Sequence, residues 1–203
     1  FFETTHVTPF LKTSVIDVID RLSGKGKTEP FTVLDVGFGG GKTHTLASLF
    51  YAAKFGAPQL TDKKAPNDTI IIALSGEEYG SDGLSRKGTK GIKTMWGDFF
   101  YQLNKYNDYK ELDSFTQFPA ANQISEAMGE RPVLILIDEI PTYLNAISVK
   151  QSALSAATHF IQRLILAVAQ KSNAYLLITI AEDAYKHEAQ KIKKDFKNFL
   201  DAE

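Results

Sequence analysis

Residues 31–44 read FTVLDVGFGGGKTH: a short apolar run, a glycine cluster, then Lys-Thr-His. The run Phe31 to Val36 predicts a strand. Downstream, Leu46, Leu49, Phe50 and Ala53 recur at helical spacing until Gly56 and Pro58 stop them. A strand that enters a glycine-rich turn and leaves on a helix is the context of a phosphate loop, whose usual spacing is G-x-x-x-x-G-K-[ST]. Gly41, Lys42 and Thr43 match its end. Val36 stands where the first glycine belongs, and Gly37 follows one residue later.

The departure leaves the physics intact. Gly37, Gly39, Gly40 and Gly41 let the backbone wrap closely round an anion, with Phe38 between them. The following helix aims its N-terminal amides and dipole at the same point. Lys42 can reach the β- and γ-phosphates of ATP, and Thr43 can offer its hydroxyl to Mg²⁺. His44, in the first helical turn, is a further candidate for nucleotide contact; packing or solvent exposure is the plainer reading. An incidental glycine turn is the alternative for the whole segment.

Outward from this loop, the chain alternates strand and helix. Leu11, Val15, Val18, Ile19 and Leu22 predict a helix over 10–22, closed by Gly24. Ile70–Leu74 and Val133–Ile137 are five-residue apolar runs; the first reads as a strand buried on both faces, the second as a further strand, and Tyr175–Ile180 as another buried strand. Ala153, Ala156, Phe160, Ile161, Leu164 and Val168 predict a long amphipathic helix. Ile192, Phe196, Phe199 and Leu200 predict a last one. A helix is expected over 93–103 and a loop over 76–91, while 106–130 is hard to read. The order predicts an α/β fold, a parallel sheet sandwiched between helices, over 1–203. The stretch 76–130 exceeds what a minimal core needs between its second and third strands, and reads as an insertion.

The strand at 133–137 runs straight into Asp138 and Glu139. Buried unpaired charge is costly, so adjacent carboxylates at a strand end call for a reason. A hydrated Mg²⁺ supplies one: Asp138 would hold it through water beside Thr43, and Glu139 would polarise the attacking water. Strand alternation puts the two side chains on opposite faces, so they should not share a task. An ordinary polar strand end is the bland alternative. Thr179 lies near the carboxyl end of its strand, where parallel sheets place ligands. It is a candidate to touch the γ-phosphate or the attacking water; the alternative is a hydroxyl satisfied by local backbone.

Composition sets the outer limits. The 203 residues are 43% hydrophobic, enough for a real core, and carry 23 basic against 24 acidic side chains. That balance gives no general pull toward nucleic acid or anionic membrane. With no cysteine, disulfide scaffolds, thiolate zinc sites and cysteine nucleophiles are excluded, and a reducing cytoplasm is the expected location. No uninterrupted apolar run reaches the roughly 20 residues of a membrane span. The start at Phe1 suggests a piece of a longer protein. There are four arginines, Arg21, Arg86, Arg131 and Arg163, none in an evident finger context. A finger would then come from a neighbouring subunit or a further region, and hydrolysis by these residues alone should be slow. Phe1, Phe2 and Trp96 could stack on adenine, although aromatics at such spacing more often serve the core.

In order along the chain, FFETTHVT, GFGGGKTHTL, TMWGDFFYQL, VLILIDEIPTYL and FIQRLILAV resemble the domain-of-unknown-function 499 family. The resemblance covers nearly the whole chain. It implies a prokaryotic AAA-like P-loop ATPase, similar to the ATPase component of BREX-type phage-defence systems, whose genes lie near those of DNA methylases. It implies ATP and Mg²⁺ as cofactors, Lys42 and Thr43 as phosphate and metal residues, and Asp138 and Glu139 as the metal and water pair. A DNA-modifying or DNA-guarding assembly would be the partner. Two other readings remain: a non-hydrolysing nucleotide-binding module that signals by occupancy, against which Glu139 speaks, and a small-molecule kinase, against which the adjacent Asp-Glu pair favours water as acceptor.

Overall fold

The computed structural model describes residues 1–2, 7–25, 28–35, 41–80, 82–86, 89 and 91–180. Helix α1 spans Pro9–Leu22, strand β1 Phe31–Asp35 and helix α2 Lys42–Phe55. Strand β2 (Ile70–Ser75) leads through a 3-10 turn, Gly76–Glu78, into a two-residue ladder, β3 (Tyr79–Gly80) with β4 (Gly83–Leu84). Then come α3 (Met95–Gln102), α4 (Tyr106–Tyr109), a 3-10 turn at Lys110–Leu112, and α5 (Ala121–Met128). Strand β5 (Val133–Asp138), α6 (Ile140–Ile147), α7 (Gln151–Ala169) and β6 (Ala174–Ile180) complete the described elements.

The four long strands form one parallel sheet in the order β1-β6-β5-β2. Helices cover both faces, as the alternating pattern predicts. The period of two along each strand divides the core. Leu134, Leu136, Tyr175 and Leu177 pack with Leu34 under α1 and α2. Val133, Ile135, Ile137, Leu176, Ile178 and Ile180 pack under α3, α5, α6 and α7. The parity puts Asp138 and Thr179 on the α1/α2 face, at the carboxyl edge of the sheet.

Local chemistry sets the helix ends. Thr8 caps α1 by accepting from Leu11 N at 3.1 Å, with Pro9 at the first position. The predicted helix at 93–103 starts two residues late because the buried Asp113 carboxylate takes the amides of Lys93 and Thr94, and Thr94 caps the helix instead. Within 76–91 the expected loop carries the 3-10 turn and the β3–β4 pair. The strand at 70–74 extends to Ser75, paired with Asp138.

The stretch 76–130 shares the main core rather than standing off it. Trp96, Phe99 and Phe100 are fully buried there, and Tyr109 stacks on Phe100 at 4.2 Å. Trp96 donates its indole N–H to Leu112 O and packs on Phe160, so it has no free face for a base. Among the described residues, α7 is long and apolar enough to cross a membrane by length and composition, but half of it is buried in the protein. The last predicted helix, 192–200, lies outside the described residues.

At the open edge of the sheet, Gln102 does the work of a neighbouring strand. Its carboxamide accepts from Ala73 N at 2.9 Å and donates to Ala73 O at 2.8 Å. One exposed residue of an edge strand is thereby satisfied from α3.

Candidate functional site

The site is assembled where β5, β6 and the start of α2 meet. Gly41 precedes α2 in the left-handed conformation, φ 79°, which only glycine adopts cheaply. Lys42 opens the helix and is 7% exposed. Thr43 follows, and its hydroxyl donates to Asp138 Oδ2 at 2.9 Å. The glycine-loop helix and the acidic strand therefore converge on one point. Gly37, Phe38, Gly39 and Gly40 lie outside the described residues.

The second oxygen of Asp138 is also held. Thr179 donates its hydroxyl to Asp138 Oδ1 at 2.5 Å and accepts from Glu139 N at 3.0 Å. Thr179 is completely buried, and its one O–H is given to the acidic pair. The donated bond goes to a side chain 41 residues away and not to local backbone. Thr179 braces Asp138 and Glu139 from the adjacent strand.

Glu139 separates from Asp138 by a different device than strand alternation. The strand has ended, and Glu139 sits at φ 52°, ψ 48°, the left-handed region, directly before α6. For a residue with a side chain this costs on the order of 1–3 kcal/mol and persists only where the surroundings impose it. Partial burial pushes the Glu139 carboxyl above its ordinary range; Asp138 adds to the rise, Lys42 opposes it, and Glu77 adds a further push. These causes place Lys42, Asp138 and Glu77 in one electrostatic neighbourhood with Glu139.

Gly76 was not legible as a site residue. A methyl group built on it would stand 2.0 Å from the Glu139 carbonyl oxygen and 3.0 Å from Tyr143 N. The backbone of the acidic turn thus rests on the turn that follows β2. A glycine directly after a buried strand is the sequence signal for such an approach.

Beside the start of α2, a cleft of about 380 Å³ is lined by Thr8, Phe10, Val33, Gly41, Lys42 and His44. The exposed His44 ring stacks on Phe1 at 5.3 Å, and Phe1 stacks on Tyr51 at 4.5 Å. Phe2 is buried. A larger hollow, about 530 Å³, opens by Phe55 and Thr69 at the opposite edge of the sheet, far from the carboxylates.

Three of the four arginines are engaged away from Asp138 and Glu139. Arg21 donates to the carbonyls of Ala174, Thr28 and Lys171, and Arg131 to Asp68 O, all near the amino edge of the sheet. Arg86 bridges Glu78 and Asp98, and Arg163 is exposed on α7. No group of three or more His, Asp or Glu side chains set to hold a metal occurs among the described residues. One carboxylate and one hydroxyl, both hard oxygen donors, suit Mg²⁺, which takes its remaining ligands from phosphate and water.

No curated protein sequence matches the chain. Among solved structures, that of C. elegans PCH-2 is similar with a TM-score of 0.42 and 14% identity over 91% of this chain; the chain spans 41% of that structure. The DUF499 N-terminal domain matches residues 1–77 and 80–202, nearly the full length. The chain belongs to the DUF499 family, whose N-terminal domain it carries.

Proposed function

We propose that this chain is a P-loop, AAA-like nucleotide-binding core that binds ATP with Mg²⁺ and hydrolyses it. The observation that carries the reading is the 2.9 Å bond from Thr43 to Asp138, which joins the glycine-loop helix to the acidic strand. In this reading the amides from Gly37 to Gly41 and the N-terminus of α2 cradle the phosphates, and Lys42 neutralises the β- and γ-oxygens. Thr43 and Asp138 would hold Mg²⁺ with their hydroxyl and carboxylate oxygens. The ion, when bound, offsets charge on the transferring phosphoryl group. Glu139 orients the attacking water and accepts its proton; a carboxyl raised by burial is a better base than a solvated one. Thr179 holds both carboxylate residues in register. His44, with Phe1 stacked on it, borders the cleft where the purine would lie.

We propose also that a second subunit completes the site with an arginine, in an assembly that guards or modifies DNA. The engagement of Arg21, Arg86 and Arg131 within the chain supports the need for an outside finger. Turnover per site measured against protein concentration tests this: a rate that stays constant on dilution removes the second subunit. Phosphate release by the wild type against Glu139→Gln tests hydrolysis itself. Release that continues unchanged in the variant would favour a module that signals by occupancy.

A further inference from the structure

Glu139 holds a strained backbone, and three contacts hold it there. Thr179 accepts from its amide, Thr142 N donates to its carbonyl at 3.0 Å, and the Gly76 backbone closes against that same carbonyl. The first two belong to the acidic turn and its neighbouring strand. The third comes from a separate segment, the turn Gly76–Glu78, and is only as firm as that turn.

The turn is tied down by one buried carboxylate. Asp98 on α3 is fully buried and accepts from Tyr79 Oη at 2.9 Å, from Gln102 Nε2 at 3.2 Å and from Arg86 Nη2. Arg86 reaches back through Nη1 to Glu78 Oε2 at 3.1 Å. Ser85 N and Oγ both donate to Glu78 O, at 2.8 and 2.7 Å. Tyr79 packs edge-on against Tyr143 of α6 at 4.9 Å, so the far side of the turn touches the helix that Glu139 begins. A buried charge with this many partners fixes geometry more than it adds stability.

We propose that the Glu78–Arg86–Asp98 clamp positions Glu139 by pressing the Gly76 turn against its backbone. Gly76, Glu78 and Arg86 are positioning residues that touch neither nucleotide nor metal. The inference rests on the proposed hydrolysis. Gly76 has no side chain because any Cβ would displace the Glu139 carbonyl. Arg86 is committed to this clamp and is unavailable as a finger. Glu77, exposed on the same turn, is carried by the clamp to the edge of the site, where its charge acts on Glu139.

The test uses the intact protein with Mg²⁺, comparing wild type, Lys42→Ala, Gly76→Ala, Glu78→Gln and Arg86→Lys. ATP turnover, affinity for a fluorescent ATP analogue and melting temperature are read for each. A backbone shift near the reacting atoms should lower kcat in Gly76→Ala by ~10-fold or more. Analogue affinity should stay within about three-fold, because the phosphate cradle is not touched. Glu78→Gln and Arg86→Lys should give a smaller loss of kcat with the same unchanged affinity. A folded Gly76→Ala with wild-type kcat overturns the proposal, and so does equal loss of kcat and affinity. If Gly76→Ala fails to fold, wild-type kcat in both clamp variants overturns it. A wild type whose turnover is absent, or survives Lys42→Ala, sinks the hydrolysis reading and this inference with it. Turnover that is lost in Lys42→Ala but unchanged in the clamp variants sinks this inference alone.

Discussion

The hydroxyl of Thr43 donates to Asp138 at 2.9 Å although 95 residues separate them in the chain. The parallel order of β5 and β6, with α2 packed over their inner face, brings the pair together at the carboxyl edge. Asp138 is thereby held from both sides, by Thr43 and by Thr179. The same contact shapes what each substitution should do.

Lys42→Ala should weaken ATP binding about 10- to 100-fold, the worth of one or two charge-assisted bonds to phosphate. Equilibrium titration with ATP and Mg²⁺ reads it directly. Affinity equal to wild type would separate Lys42 from the nucleotide.

Asp138→Asn keeps the shape of the side chain and removes its charge. The Mg²⁺ concentration giving half-maximal turnover should rise ~10-fold or more, as when an outer partner of a metal is altered. Affinity for ATP measured without metal should change far less. A metal titration of the rate separates the two.

Thr179→Val is nearly isosteric, yet it strips a buried hydroxyl from Asp138 and leaves Glu139 N without its acceptor. Stability should fall by ~1–3 kcal/mol, the cost of an orphaned buried group. The urea midpoint should drop, and kcat should drop with it because Glu139 loses one of its supports. A variant with wild-type midpoint and rate would make Thr179 a bystander.

Tyr106 donates its hydroxyl to Asp113 at 2.9 Å. Burial first, then that bond and the Asp113 charge, push the phenol up to about 12 from its ordinary value of 10.0. Its raised value means the neutral form is favoured in the folded state. The resulting stability is fully present below the unfolded value and is lost as pH rises from about 10 through about 12. Urea unfolding across that window should show a fall in wild type that is smaller in Tyr106→Phe. Equal slopes would deny Tyr106 the role.

The fold could be read from residues to the extent that its signals are local. Four apolar runs became the four parallel strands because each is bounded by turn residues; the central pair, β5 and β6, is buried on both faces, while β1 and β2 are only partly covered. The stretch 106–130 resisted reading for a physical reason. Its pieces, such as the four-residue α4, are too short to be stable alone and are held by distant partners, Phe100 under Tyr109 and His159 against Phe118. Thr94 capping α3 required Asp113, nineteen residues away, to occupy the amides before it.

Glycine, lysine, threonine and paired carboxylates carry their chemistry in their own groups and spacing, so the residues alone nominate a phosphate cradle and an acidic strand end. Convergence is another matter, since contacts between segments far apart in the chain depend on strand order and packing. Tertiary structure alone decided that Thr43 meets Asp138, that Thr179 spends its proton on the carboxylate, and that Gly76 leaves room for the Glu139 backbone. It also turned Arg86 inward onto Asp98, because a buried carboxylate needs a cation and the fold put that guanidinium within reach.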